Sequence, residues 1–222
     1  MTDLAIYDMD RTITRRATYT PFLLHAARTR APWRLGLAPA VVASMAVYGA
    51  KAIGRARLKE INHRLLLGGK RSVAELAPIV EAFADMTMRE NIQPGAIRAI
   101  AHDRSEGRRL VMATASYALY AEAIAERLGF DDVIATRSRR SADGALLARI
   151  DGENCYGAAK LRMIEAWVAD EAVERAHVRF YSDHVSDAPV FDWADEPVAV
   201  NPSPSLRRLA AQRGWEVEDW SA

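Results

Sequence analysis

Two aspartates, Asp8 and Asp10, stand directly after the short apolar run Leu4-Ala5-Ile6-Tyr7. If that run is a strand, both carboxylates enter the crevice at its carboxyl end. A pair of carboxylates there suits a division of labour. One attacks phosphorus, and the other delivers a proton to the leaving oxygen and later takes one from water. Alone, the pair reads equally well as two exposed loop residues. Thr114 ends the run Leu110-Val111-Met112-Ala113, where its hydroxyl either holds a phosphoryl oxygen or caps the next helix. Lys160 falls near the start of a later helix and is one of only four lysines against twenty-six arginines. Its ammonium can neutralise carboxylate and phosphate together, the plain alternative being a helix-surface lysine. Asp183 and Asp187 follow the run Val178–Tyr181. Asp183 would meet Asp8 at the crevice, where two hard oxygen ligands plus water make a Mg²⁺ site, with a turn or N-cap role as its alternative.

The elements needed to position these groups are legible in the hydrophobic pattern. After the first strand, residues 21–30, 33–53, 55–67 and 73–90 read as helices, with breaks at Pro21, Pro32 and Gly68-Gly69. The rhythm then changes to alternating helices and strands. A helix over 94–106 precedes a strand over 109–114, and a helix over 117–128 precedes a strand over 132–136. A hairpin over 138–151 is centred on Asp143-Gly144. A helix near 158–168, a strand over 178–182, a short helix after Asp187, a strand over 197–200 and a helix over 205–213 complete the chain. This alternation predicts an α/β fold with a parallel sheet covered on both faces.

The chain has 222 residues, enough for one α/β domain with a modest insertion and too short for two full domains. Half of it is hydrophobic and 27% is charged, which excludes wholesale disorder. The single cysteine, Cys155, excludes a disulfide framework or a thiolate metal site within one chain and reads as a small buried hydrophobe. The five histidines show no ligand spacing; His184, beside Asp183, reads as a surface residue or as part of the site wall. Asp3, Asp8, Asp10 and Arg11 interrupt any secretory leader, so a reducing, cytoplasmic setting is expected. The net charge of +1 hides a polarised segment: residues 11–71 hold thirteen Lys or Arg and one acid, Glu60. Such a segment is either a solvated face or a device for attracting anions. Within it, 33–53 is apolar but leans on alanine and contains Pro39, Arg34 and Lys51. It reads first as a buried helix of the insertion, with an interfacial helix and a membrane span as alternatives. No nucleic-acid fold signature accompanies the basic residues.

Taken in order, D-x-D-x-T, a small hydroxyl, Lys and D-x-x-x-D, the motifs resemble those of the haloacid dehalogenase superfamily. Thr114-Ala115-Ser116, Ala125-Glu126-Arg127-Leu128-Gly129-Phe130, Asn154-Cys155-Tyr156-Gly157-Ala158-Ala159-Lys160, Tyr181-Ser182-Asp183-His184 and Ala199-Val200-Asn201-Pro202 narrow the resemblance to its phosphoserine-phosphatase-like branch. The resemblance implies a Rossmann-like core over 1–14 and 91–222 and a helical cap over 15–90, inserted after the first strand. It implies Asp8 as nucleophile, Asp10 as general acid/base, and Thr114 and Lys160 as phosphoryl ligands. Mg²⁺ would be held by Asp8, the backbone carbonyl of Asp10, and Asp183, with Asp187 auxiliary. One departure is Arg11, where the family usually has glycine; a side chain there is tolerated if the backbone avoids positive φ.

The same branch holds a substrate amine with an acid shortly after the first motif. No acid occurs from Arg11 through Lys59, which argues against an amino-acid phosphate. The segment offers cations instead, with Arg15, Arg16 and Arg57 as substrate candidates and Arg28, Arg30, Arg34, Arg55 and Lys59 beside them. A phosphorylated small molecule with extra negative charge, or a lipid phosphate reached by peripheral contact with an anionic membrane at its inner face, is therefore expected. A phosphotransferase of the same mechanism and a non-catalytic anionic-membrane-binding module are the competing readings.

Overall fold

The computed structural model describes residues 2–171 and 175–221. Strand β1 (Thr2–Tyr7) is buried from Leu4 onward. Its period-two alternation sends Ala5 and Tyr7 into one hydrophobic core and Leu4 and Ile6 into another. On one side β1 pairs with β3 (Arg109–Tyr117), and β3 with β4 (Asp132–Arg140). On the other side lies β6 (Arg175–Ser182), then β7 (Glu196–Val200) and β8 (Glu216–Glu218). All of these pairings are parallel. Beyond β4, β5 (Leu146–Asp151) and β2 (Lys70–Arg71) run antiparallel and complete the sheet order β2-β5-β4-β3-β1-β6-β7-β8. The chain steps outward from β1 through β3 to β4, then crosses to β6 and steps outward the other way. The reversal falls between β1 and β6, and the crevice above that pair is where open α/β sheets place ligands.

Helices cover both faces, as the alternation predicts. Numbering along the chain, α5 (Pro94–Ser105) and α6 (Ala118–Leu128) bury Ala96, Ile100, Tyr120 and Ile124 in the Tyr7 core. The opposite core takes Ile164 from α7 (Ala158–Asp170), Phe191 from α8 (Ala188–Trp193) and Leu206 from α9 (Pro204–Arg213).

Between the first motif and α5 the chain makes one long, mainly helical excursion. It contains α1 (Tyr19–Arg30), a 3₁₀ turn (Pro32–Leu37), α2 (Ala38–Gly49), α3 (Arg55–Leu66), the short β2 and α4 (Val73–Glu90). A Thr14–Ile92 bridge closes the base, reinforced by Arg15 N–H donating to Asn91 O at 2.7 Å. A capping box between Ser72 and Glu75 starts α4, where two otherwise orphaned amides find partners. The insertion is welded to the core: Phe22 stacks on Tyr120 with ring centroids 4.4 Å apart, and Phe83 meets the same ring edge-on.

The structure corrects several readings. Residues 33–53 are neither one helix nor buried: the 3₁₀ turn that opens with Pro32 precedes α2, and Ser44 is the one residue of α2 that is buried. Lys70 and Arg71, next to the expected break at Gly68-Gly69, instead add β2 to the edge of the core sheet. β8 was not anticipated, its three residues being too few to carry a period. β3 runs on to Tyr117, past Thr114. Among the described residues, no helix is long and apolar enough to cross a membrane.

Candidate active site

Asp8 leaves the end of β1 with its backbone N–H donating to Tyr181 O at 2.9 Å, across the gap to β6. Its buried carboxylate meets the Lys160 ammonium, with Oδ1 2.8 Å from Nζ. The same Nζ lies 2.7 Å from Asp187 Oδ2, which also accepts from Ser182 Oγ at 2.8 Å. Lys160 reaches this point because Gly157, at φ 61 and ψ −136, turns the chain into α7 through a region closed to residues with a Cβ.

Asp10 is held by a different set of donors. Its Oδ1 accepts from Thr18 N–H and Thr18 Oγ1, both at 2.7 Å, and its Oδ2 from Ser116 Oγ at 2.8 Å. Tyr120 O–H donates in turn to Ser116 Oγ at 2.8 Å. Thr114 is fully buried near the end of β3, and its Oγ1 accepts from Ser116 N–H at 3.1 Å. It does not cap α6, whose N-cap is Tyr117. Nor does Asp183 cap the 3₁₀ turn Val185–Asp187, a role taken by His184. Asp8, Asp10, Thr114, Lys160, Asp183 and Asp187 all line one cavity of about 260 Å³, so the structure gathers these sequence-predicted groups in a single place.

The electrostatics of this cavity are unbalanced. Lys160 stands among three carboxylates. Burial pushes the Asp8 carboxyl up to about 7; Lys160 opposes this, and Asp187 and Asp183 add to it. Burial and then Asp187 push Asp183 up to about 6. Burial works against the Lys160 charge, but Asp187 and Asp8 overcome it and hold the ammonium above its ordinary range. Asp187 Oδ1 is buried with no hydrogen-bond partner among the described residues. Excess buried negative charge and an orphaned carboxylate oxygen are what a hard cation neutralises, so the donor set fits Mg²⁺. No three acidic, histidine or cysteine side chains among the described residues stand at chelating distance from one another. The expected ligand set needs only two side chains, with a backbone carbonyl and water for the rest.

Arg11 is a second departure from expectation. Its φ is 67, in the left-handed region, where a residue with a Cβ costs about 1 kcal/mol. The turn is stabilised by Thr14, whose Oγ1 donates to Met9 O at 3.0 Å and accepts from Arg11 N–H at 3.2 Å. Arg11 lines the cavity, and its charge favours the ionised form of Asp183.

The three cap arginines singled out from sequence lie elsewhere. Arg15 Nε donates to Ile92 O at 3.2 Å, Arg16 borders a separate hollow beside Phe83, and Arg57 pairs with Glu60 at 3.0 Å. None lines the acidic cavity. The cap reaches it through Ala17 and Arg55, the latter stacked over Tyr156 at 4.1 Å from the ring centroid. His184 also forms part of the wall. Cys155 is buried, and burial lifts its thiol to about 12, so it is inert.

Sequence reading missed the clamp on Asp10. Thr18 and Ser116 were in view without a role, and their signal was the recurrence of small hydroxyls at the ends of the elements facing the first motif. It also counted Lys59 only among the general cations of the cap. This lysine of α3 is 5% exposed, and its ammonium donates to Ala115 O and to Asn154 Oδ1, the latter at 2.7 Å. Burial, with Arg55 next, draws it down to about 7. The rarity of lysine that marked Lys160 marks Lys59 equally.

The chain belongs to the haloacid dehalogenase-like hydrolase family, whose model matches residues 5–192. Within that family it is similar to phosphoserine phosphatases among others. Protein CicA of Caulobacter vibrioides is 32% identical over 197 residues, covering 87% of this chain and 83% of the relative. Phosphoserine phosphatase SerB1 of Mycobacterium tuberculosis is 31% identical over 150 residues, 68% of this chain and 48% of the relative, so the chain spans about half the length of that protein. Among solved structures, a Bordetella pertussis protein of unknown function superposes with a TM-score of 0.90 at 28% identity over 99% of both chains. A substrate-bound phosphoserine phosphatase superposes with a TM-score of 0.64 at 16% identity, over 100% of this chain and 94% of that one, a likeness of fold.

Proposed function

We propose that the protein is a Mg²⁺-dependent phosphomonoesterase working through an aspartyl phosphate on Asp8. The observation that carries this reading is the Asp8–Lys160–Asp187 chain of contacts opening into the cavity that Asp10, Thr114 and Asp183 also line. Asp8 attacks phosphorus while Asp10, oriented by Thr18 and Ser116, protonates the departing alkoxide. Asp10 then takes a proton from water, whose oxygen attacks the acyl phosphate and frees Asp8. Lys160 and the Thr114 hydroxyl hold the phosphoryl oxygens through both steps. Mg²⁺, held by Asp8, Asp183 and the Asp10 carbonyl with Asp187 behind them, supplies charge neutralisation that lets one anion approach another.

The cavity also bears on the substrate. At about 260 Å³ it is smaller than the usual range for drug-sized ligands, so it suits a phosphoryl group with a small number of further atoms. The cap adds a cation there and no acid, which favours a substrate with a second negative charge and disfavours an ammonium such as that of phosphoserine. A lipid phosphate is the second reading, because the exposed apolar helix α2 lies on the same cap. It would place only its head group in the cavity. Transfer to an acceptor other than water is the competing chemistry.

The test is phosphate release from a panel of monoesters, including phosphoserine, glycerol phosphate and lysophosphatidate, by wild type and Asp8→Asn, with Mg²⁺ or EDTA. Release that needs both Asp8 and Mg²⁺ is expected. Release by a folded Asp8→Asn protein would overturn the covalent mechanism, and phosphate appearing only on added alcohols would assign transfer.

A further inference from the structure

Helix α2 is built inside out. Its sequence, Ala38 to Gly49, carries no charge, and a helix that apolar ordinarily belongs in a core. Here the buried position is polar: Ser44 bonds Asn62 Oδ1 of α3 at 2.8 Å. The large apolar side chains point away. Val42, Met45 and Tyr48, spaced by three along one face, are 64%, 55% and 38% exposed, and Trp33 just before the helix is 67% exposed. A contiguous apolar face of this kind marks a contact surface.

The charge around it says what the face contacts. α2 is bracketed by Arg34 and Lys51, and no acid occurs from Arg11 through Lys59. Arg34 sits over the Trp33 ring at 4.6 Å, and Arg28 and Lys51 are exposed. Two copies meeting through this face would bring like charges together. An anionic bilayer complements both parts at once, taking the apolar stripe among its acyl chains and the cations among its head groups. Twelve helical residues span about 18 Å, which suits a helix lying in the interface and falls short of the roughly 30 Å hydrocarbon core.

We propose that the Trp33 and α2 face is a docking surface for anionic membrane. The proposal goes beyond the catalytic reading and does not depend on it. The face is linked to the catalytic cavity through α3, which holds Ser44 of α2 by Asn62 and begins with Arg55, a residue of the cavity wall.

Co-sedimentation with vesicles of phosphatidylcholine and phosphatidylglycerol, and of phosphatidylcholine alone, tests it. Wild type is expected to sediment with the anionic vesicles, less so as salt rises and the screening length falls to about 8 Å at physiological ionic strength. It should not sediment with the neutral ones. The variant Val42→Ser, Met45→Gln, Tyr48→Ser should lose about tenfold or more in apparent affinity while hydrolysing a small aryl phosphate as wild type does. Arg28→Gln with Lys51→Gln should weaken binding and flatten its salt dependence. A polarity-sensitive fluorophore on Met45→Cys should shift to the blue on anionic vesicles, a readout independent of the triple variant's folding. Absence of sedimentation at any salt, undiminished binding by a folded triple variant, or an unshifted fluorophore would overturn the proposal. So would a wild-type dimer in vesicle-free solution that the triple variant converts to monomer, which would assign the face to a second copy.

Discussion

Tyr7 and Asp8 are neighbours in the chain, yet they feed two buried clusters of opposite character. Beneath Tyr7, the fully buried Asp103 accepts from the tyrosine hydroxyl and from Arg179, with Arg108 Nε 3.7 Å away. That carboxylate is well supplied with donors: a hydroxyl and one guanidinium in contact, and a second guanidinium close by. Beside Asp8, one ammonium serves three carboxylates, two of them are pushed toward protonation, and one oxygen has no donor. The first cluster is a finished structural knot. The second is unfinished without a cation, and so marks the place where a ligand belongs.

The largest way to break this comparison is at Asp8. Asp8→Asn should lower turnover by about four orders of magnitude or more, because an amide does not form the acyl phosphate. Its melting temperature should match or exceed that of the metal-free wild type, since a crowded carboxylate has been removed; calorimetry beside an activity assay checks both. Asp10→Asn should slow turnover by about 10²–10⁴, least for esters whose leaving groups need no proton. Asp103→Asn should do the reverse of Asp8→Asn, destabilising the fold by about 3 kcal/mol in urea titration while the remaining folded protein keeps its turnover. Loss of activity without loss of stability in that variant would erase the distinction.

Metal and pH sharpen it further. In the unfolded chain Asp8 and Asp183 titrate near 3.8, and folding raises them to about 7 and about 6. The metal-free protein therefore holds extra protons between about pH 4 and pH 7 and loses stability as pH rises through that window. A divalent cation needs the ionised carboxylates, so the rise in Tm on adding Mg²⁺ should be small near pH 5 and grow toward pH 8. Differential scanning fluorimetry with Mg²⁺ or EDTA reads this directly, and an Mg²⁺ effect that shrinks as pH rises would contradict it. The smallest effect expected is at the cap: Arg55→Ala should raise KM about tenfold for doubly charged substrates, with Arg57→Ala as the silent control.

The sequence was most legible where a motif coincided with the end of a strand. Asp8, Thr114 and Asp183 each close an apolar run, so sheet geometry brings them together once the runs are recognised as parallel. Lys160 was legible through its place near the start of a helix and the scarcity of lysine. The cap was the least legible part. Arginines 15, 16 and 57 are nearer to or no farther from the first motif in sequence than many others, but only packing decides which side chain turns toward the cavity, and it chose Arg55. The exposure of α2 was equally hidden, because an apolar helix reads as buried until its neighbours are placed. Arg11 shows the converse: the backbone adopts positive φ without glycine because Thr14 holds the turn.

The two residues of β2 set the terms of access to the site. A cap joined to its core only at the base can swing as a lid. This one is also stitched along its far side: Ala148 N–H donates to Gly69 O at 3.1 Å, Ile150 N–H to Glu60 Oε1 at 3.0 Å, and Lys70 pairs with Asp143 at 2.8 Å. Lifting such a cap as one body means tearing the edge of the sheet. Rearrangement near the cavity then falls to side chains, and Arg55 stacked over Tyr156 is the cap's charged side chain in that wall.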